Sequence, residues 1–442
     1  MKVSQIMFLG IFFIGINSIE AQERTSFSLE EAIHMAWTKS NEVSLANTKV
    51  NTKKYELQSV KNNQYPDFKV SGQYQRLAKA SVDLKINKNS GSTNSVPVVN
   101  QLMIAQANAN LPIFAGFKIQ NSIKVYDNLY QAETANSLQT KEDVAMSVVN
   151  YYASLYKAQK TVELLKENQK KAQQRVTDFL ELEKNGIIPR NDLLKSQLQV
   201  SKVQLSLDEA NNNLNIVNFS LTTLLKLPAD TKLEVKESDF VDFRMDNIPT
   251  NEEPALQNRK DLEAIHFQEK ASEANIKVAR SAYYPSLSLI AGYTILDVKN
   301  VVTVQNAMNF GVGVSYDLSS ILKNGTMVKL AESKASEVQN SEDMLTDYIK
   351  IQVQKSIEDY QLALKQSNVY GEAVEQSTEN YRIIKDKYDN GLSDTNDLLE
   401  ADVEQLNATI NKALAKANVV QKYYELLSVT GQLSKTFNLS KI

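Results

Sequence analysis

The chain has 442 residues, a formal net charge of −3, 13 glycines, eight prolines and no cysteine. The lack of cysteine excludes disulfides, thiolate metal sites, a cysteine nucleophile and lipidation of a cysteine behind a leader, and the near-neutral charge offers no footprint for nucleic acid or another polyanion. Proline is scarce and clustered, with none between Pro112 and Pro189 and none after Pro285, so long stretches are free to form unbroken helix, inside which a proline costs about 3 kcal/mol.

The N-terminus reads as a processing segment, 1–21. Lys2 supplies its charge, Ile6 to Ile16 its apolar core, and Ile19-Glu20-Ala21 a cleavage site that leaves Gln22 first in the mature chain. The apolar run is short for a span of about 20 residues, although an uncleaved anchor is the alternative. Export is expected, and passage through a membrane would then fall to strands.

The first helix is expected from a capping box at Ser28-Leu29-Glu30-Glu31. Leu29, Ala36, Val43, Val50 and Leu57 recur every seven residues, a coiled-coil seam. The helix should end at Tyr65-Pro66. Period two follows: Phe68, Val70, Gly72 and Tyr74 alternate with Lys69, Ser71, Gln73 and Gln75. It resumes after a polar loop (Asn87 to Asn100) with Met103, Ala105, Ala107, Ala109 and Leu111. These predict strands at about 67–77 and 101–111. From Phe117 to Lys184 there is neither glycine nor proline, which predicts a helix of roughly 100 Å. A second helix, Asn191 to Leu227, carries Leu193, Val200, Leu207, Leu214 and Leu221 at seven-residue spacing. Pro228 to Pro254 lacks helical pattern and is read as a linker packed around the rods.

The remainder repeats this order. Helix is expected over Ala255 to Tyr283, strands at about 286–296 and 304–317, and long helices over Ile321 to Asn390 and Thr395 to Leu433. The turn Asn185-Gly186-Ile187-Ile188-Pro189-Arg190-Asn191-Asp192-Leu193-Leu194 returns 205 residues later as Asn390-Gly391-Leu392-Ser393-Asp394-Thr395-Asn396-Asp397-Leu398-Leu399. Tyr65-Pro66 returns as Tyr284-Pro285 at an offset of 219, so the first half carries extra residues between these markers. The expected organisation is a first repeat over 22–227, a linker over 228–254 and a second repeat over 255–442. The fold class is mainly α with a small β part, in which duplicated long helical hairpins carry four strands.

Each strand is expected to be about 9–11 residues long, enough to cross a membrane when tilted. Tyr65, Phe114, Phe117, Tyr283, Tyr284 and Tyr316 crowd the ends, as an interfacial belt would. Soluble hairpins with one buried face are the competing reading. Four strands cannot close a barrel in lipid, so the chain must associate; two copies give eight strands and three give 12, and counting does not choose.

Taken in order, Ser28-Leu29-Glu30-Glu31-Ala32, Tyr65-Pro66, Leu111-Pro112-Ile113-Phe114, Asn258-Arg259-Lys260-Asp261-Leu262, Tyr284-Pro285 and the two Asn-Gly…Asn-Asp-Leu-Leu turns resemble the TolC family of outer-membrane efflux proteins over essentially the whole mature chain. The resemblance implies a homotrimer with a 12-stranded barrel in outer-membrane lipid, continued by a periplasmic helical tunnel. It implies a periplasmic adaptor and an inner-membrane transporter of RND or ABC type as partners. Lys260 departs from the pattern, which often has proline there.

The two repeated turns are expected at the tunnel's periplasmic tip. The family's adaptor contact maps onto Gly186, Ile187, Gly391 and Leu392, which also read as ordinary helix C-caps. Asp397 and Glu400 lie on one helix face. In a trimer they would form acidic rings that narrow a pore and favour cations; alone they would only complement a helix dipole. Their first-half counterparts are Asp192 and Lys195, and Arg190 or Lys195 is expected to pair with Asp397 or Glu400 in a closed tip. His34 and His266 sit in ordinary helical surroundings. No catalytic constellation, phosphate loop or metal spacing is present, and no cofactor is expected. The sequence therefore favours an outer-membrane exit duct, with a periplasmic coiled-coil scaffold or adaptor lacking a barrel as the alternative.

Overall fold

The computed structural model describes residues 25–80, 99–241 and 248–437. The expected leader, most of the polar loop between the first two strands, part of the linker and the end of the tail lie outside these residues. In chain order the elements are β1 (Thr25–Phe27), α1 (Leu29–Lys39), α2 (Asn41–Asn62), β2 (Asp67–Ala80), β3 (Val99–Ala115), α3 (Lys118–Lys184), α4 (Arg190–Leu224), β4 (Leu233–Val235) and α5 (Ser238–Val241). They continue with α6 (Glu253–Asn258), α7 (Lys260–Arg280), β5 (Ser286–Val298), β6 (Val302–Ser315), α8 (Ser319–Asp389), α9 (Thr395–Val429) and α10 (Leu433–Thr436). The chain divides into two compact units, and α3 and α8 each contribute residues to both.

The first unit comprises Met1–Ser40, Val144–Ile248 and Asp359–Glu425. The capping box opens α1: the Glu31 amide donates to Ser28 Oγ at 3.2 Å and the Ser28 amide to Glu31 Oε2 at 2.7 Å. The sequence predicts one helix from Ser28 to Gln64, but the helix stops at Ser40, which is extended (φ −67°, ψ 147°). Serine followed by asparagine offers the backbone local hydrogen bonds that compete with helix, and this overrides a seam that runs on through Val43. The linker departs from expectation too. Its β4 pairs in parallel with β1, a short sheet without signal in either segment. Side-chain amides satisfy its backbone: Asn218 of α4 bonds Thr231 O and the Leu233 amide, and Gln159 of α3 bonds Leu233 O and the Val235 amide. Tyr152 ties β1 to α5, with its hydroxyl 2.8 Å from Phe27 O and 2.7 Å from Asp239 Oδ2. Burial and the adjacent Asp239 push this phenol well above the usual tyrosine range.

The second unit comprises Asn41–Asp143, Pro249–Glu358 and Leu426–Ile442. It holds a four-stranded antiparallel sheet in the order β2-β3-β5-β6. The strands have 14, 17, 13 and 14 residues, longer than the expected 9–11, because ladder pairing continues past the point where the apolar alternation fades. At the foot of the sheet Gly116 (φ +60°) and Phe117 (φ +64°) are both left-handed and turn β3 directly into α3. Phe117 is held edge-on against Phe114 and Tyr284, with ring centres 5.2 and 6.4 Å away.

Arg259 explains the Asn258-Arg259-Lys260-Asp261 run. Its extended backbone (φ −65°, ψ 129°) separates α6 from α7, where the sequence suggests one helix. Its guanidinium forms a fork with Asp261 (3.0 and 2.6 Å) and reaches Gln352 of α8 and Val429 O at the end of α9. Lys260 occupies the first position of α7, where proline is well tolerated and lysine costs little. Gly431 (φ +66°) packs on this motif, and Lys435 reaches Asn258 Oδ1 at 2.7 Å. Nearby, Glu142 of α3 is buried. One carboxylate oxygen accepts from the Ser434 amide at 3.3 Å and the other has no hydrogen-bond partner among the described residues, and burial holds this carboxyl above its usual range.

Two predictions follow from these packings. A β-carbon at Gly116 would lie 2.4 Å from Ser281 O, so Gly116→Ala should lose more than the roughly 1–2 kcal/mol of a left-handed alanine. Gly186 (φ +70°) has open space around it, and Gly186→Ala should lose only that backbone part. Denaturant unfolding of both variants checks the contrast. Glu142 binds its proton more tightly folded than unfolded, so its contribution to stability declines as pH rises from the ordinary value of 4.5 through the raised one. Glu142→Gln should therefore gain stability over the parent above that window and lose the advantage below it, read from unfolding midpoints across pH.

Candidate functional site

The sheet has two chemically distinct faces, set by strand alternation and register. Val70, Ala107, Tyr293 and Met308 are consecutive cross-strand partners, as are Phe68, Ala109, Ala291 and Phe310. Leu289 and Val312 extend the same face, which is apolar over these rows and open: Val70 is 84% exposed and Phe310 91%. The opposite face aligns Ser71, Gln106 and Thr294, then Lys69, Asn108, Gly292 and Asn309. It is polar, rich in amides and glycine. At Gly292 the Asn309 and Asn108 carboxamide oxygens lie 2.6 and 3.0 Å from where a β-carbon would be, so any side chain there would push them aside. Among the described residues, the outer strands β2 and β6 each leave one edge unpaired. An exposed apolar face of this extent is the inverse of a soluble sheet.

In the other unit, two helical turns carry the repeated motif. At the first, the Gly186 amide donates to Glu183 O and the Ile187 amide to Leu182 O; at the second, Gly391 donates to Tyr388 O and Leu392 to Lys387 O. These paired bonds define a Schellman cap, and the left-handed φ of +70° and +73° explains glycine at both. Ile187 and Leu392 follow, 66% and 77% exposed, apolar side chains that the chain itself does not cover.

The charged residues beyond these turns are placed unequally. Lys195 lies 3.4 Å from Asp192 on its own helix. Asp394 caps α9, its Oδ1 accepting from the Asn396 and Asp397 amides, while Asp397 accepts from Ser393 Oγ at 2.7 Å. Lys195 and Glu400 line one groove between α4 and α9, with Lys202 and Glu404 further along it. Among the described residues, no ion pair joins Arg190 or Lys195 to Asp397 or Glu400.

The stronger electrostatic link is one the sequence does not mark. Arg175 of α3 pairs with Asp402 of α9 at 3.1 Å, both side chains at least nine-tenths buried, and Tyr381 of α8 lies 3.5 Å from the guanidinium. Beside it Phe179, Leu193 and Leu398 form a small core, with Tyr388 stacked on Phe179 at 5.9 Å. Arg175 sits mid-helix among lysines and glutamines, so only the rarity of arginine, eight among 49 basic residues, hints at it. Arginine suits a buried pair because its charge persists and its planar donors match a carboxylate.

An apolar-faced sheet with open edges, joined by the same chain to unbroken helices of 67 and 71 residues, is the build of an outer-membrane channel subunit. The chain belongs to the outer membrane efflux protein family, whose model matches residues 32–225 and 253–432. It is similar in fold to the CmeC outer membrane channel of Campylobacter jejuni (16% identity, 100% of this chain and 97% of that one, TM-score 0.76). It is also similar to the MtrE outer membrane channel of Neisseria gonorrhoeae in its open state (16% identity, 92% and 89%, TM-score 0.73). A curated relative, the probable outer membrane lipoprotein SilC of Salmonella typhimurium, is 26% identical over 152 residues; the match spans 34% of this chain and about a third (31%) of the relative.

Arg175→Ala would leave Asp402 as a buried, unpaired charge and should destabilise by about 3–5 kcal/mol. Replacing both residues with leucine should restore much of that loss. Denaturant unfolding of the single and double variants measures the difference.

Proposed function

We propose that this chain is the outer-membrane exit duct of a tripartite export assembly, formed as a homotrimer. The observation that carries the reading is the four-stranded sheet with one apolar face, one polar face and two open edges. In hydrocarbon an unpaired edge leaves N–H and C=O groups without partners, so edges must meet edges. Pairing β6 of one copy with β2 of the next removes every edge, and three copies give 12 strands, enough to leave an aqueous lumen lined by the polar face. Transport is passive, with energy supplied by an inner-membrane transporter of RND or ABC type.

In this reading the duplicated halves, 22–227 and 255–442, together build the helical tunnel. Ile187 and Leu392, presented by Gly186 and Gly391, are the contact for a periplasmic adaptor. Asp397 and Glu400 form acidic rings at the tip, while Arg190, Asp192 and Lys195 supply the mixed charges of the other half. Within one copy, Arg175, Asp402 and Tyr381 hold the two hairpins together and favour the closed tip. A periplasmic scaffold without a barrel does not account for the apolar sheet face.

The native mass of protein extracted from membranes in detergent tests the assembly: a trimer supports the duct, and a monomer recovered without detergent contradicts it. In planar bilayers, Arg175→Ala should raise conductance. Asp397→Asn with Glu400→Gln should lower the preference for cations, read as a shift of reversal potential toward zero in a salt gradient.

A further inference from the structure

We infer that the lipid-contacting surface continues past the sheet onto the first turn of α8, with Leu318 and Leu322 immersed in the periplasmic leaflet. This rests on the channel reading above and adds a boundary to it. On β6 the apolar row runs from Met308 to Tyr316. It rises ~27 Å along the strand, and a tilt of about 40° leaves roughly 20 Å of height. The apolar band of an outer-membrane barrel is about 25 Å tall. On this edge the apolar row, though not the strand itself, falls short by ~5 Å, which is one turn of helix.

The next turn has the required character. Leu318, in the turn that opens α8, and Leu322, in its first turn, are four residues apart and are 68% and 88% exposed. They follow the exposed row of Val312, Val314 and Tyr316 along the chain. The opposite side of the same turn is fastened to the protein. Ser320 donates to Ala282 O at 2.8 Å, and the buried Asn324 carboxamide donates to Ala279 O at 2.8 Å. Asp317 caps the turn, accepting from the Ser319 amide at 2.9 Å, which leaves the leucine side facing away. Exposed Lys323 follows, where a flexible ammonium stem reaches phosphate headgroups. Edge pairing between copies would cover the backbone rim of β6, whereas these leucines extend its outward face. That continuity favours lipid over a second copy.

The chain has no cysteine, so single-cysteine variants report one position each. Leu322→Cys, Phe310→Cys on the apolar face and Lys69→Cys on the polar face would be labelled with an environment-sensitive fluorophore. Each would be reconstituted in phosphatidylcholine–phosphatidylglycerol vesicles containing nitroxide-labelled lipid. The expected result is a loss of intensity at Leu322→Cys comparable with that at Phe310→Cys, and little loss at Lys69→Cys. Quenching at Phe310→Cys with Leu322→Cys reached by aqueous iodide instead would place the helix in water and overturn the inference. So would disulfide-linked dimers at Leu322→Cys without lipid quenching, which mark a second copy as the occupant. No quenching at Phe310→Cys would overturn the channel reading itself.

Discussion

A strand edge cannot be left open in hydrocarbon. Each unpaired N–H or C=O there costs several kcal/mol, and the four-stranded sheet presents two such edges together with an apolar face that water would not tolerate. This constraint determines much else. It calls for further strands at both edges and suits the apolar face, not the polar one, to lipid. It also explains why the foot of the sheet is built tightly, with two left-handed residues and an aromatic cluster turning β3 into α3.

The helices answer a different requirement. A rod of 67 or 71 residues is not stabilised by intrinsic propensity alone; it depends on continuous packing along its seam. The seams here are narrow and rich in alanine and valine, with local cores such as Val162, Leu165 and Leu207 against Leu406 and Ile410. Turns interrupt them only where a left-handed glycine closes the cap. Exposed Ile187 and Leu392 at those caps are therefore local consequences of chain reversal.

Arginine marks the places where separate segments are tied. Arg259 gathers α7, α8 and the end of α9 around one bidentate pair with Asp261, and Arg175 joins α3 to α9 with Tyr381 alongside. Breaking either pair strands a buried carboxylate or carbonyl, whereas the many surface lysine–glutamate pairs at three- and four-residue spacing contribute little. Stability is thus concentrated in a few desolvated contacts.

Periodicity and punctuation made most of the architecture legible. Seven-residue seams, two-residue alternation, the capping box at Ser28 and the glycine turns are all encoded by neighbours in the chain, so the sequence alone determined a mainly helical, duplicated chain with four strands. It misplaced the break at Ser40, where local side-chain competition outweighs the seam, and the separation of α6 from α7, where Arg259 is drawn into tertiary contacts. It did not reveal the β1–β4 pairing, the Arg175–Asp402 link, the bonding of Asp397 to Ser393 or the unmatched oxygen of Glu142. Those depend on residues up to 292 positions apart or on side-chain competition within a turn. Local pattern fixes what each segment is, while only the folded structure decides which charges lose their water together, since desolvation depends on everything that packs around a group and not on its neighbours in sequence.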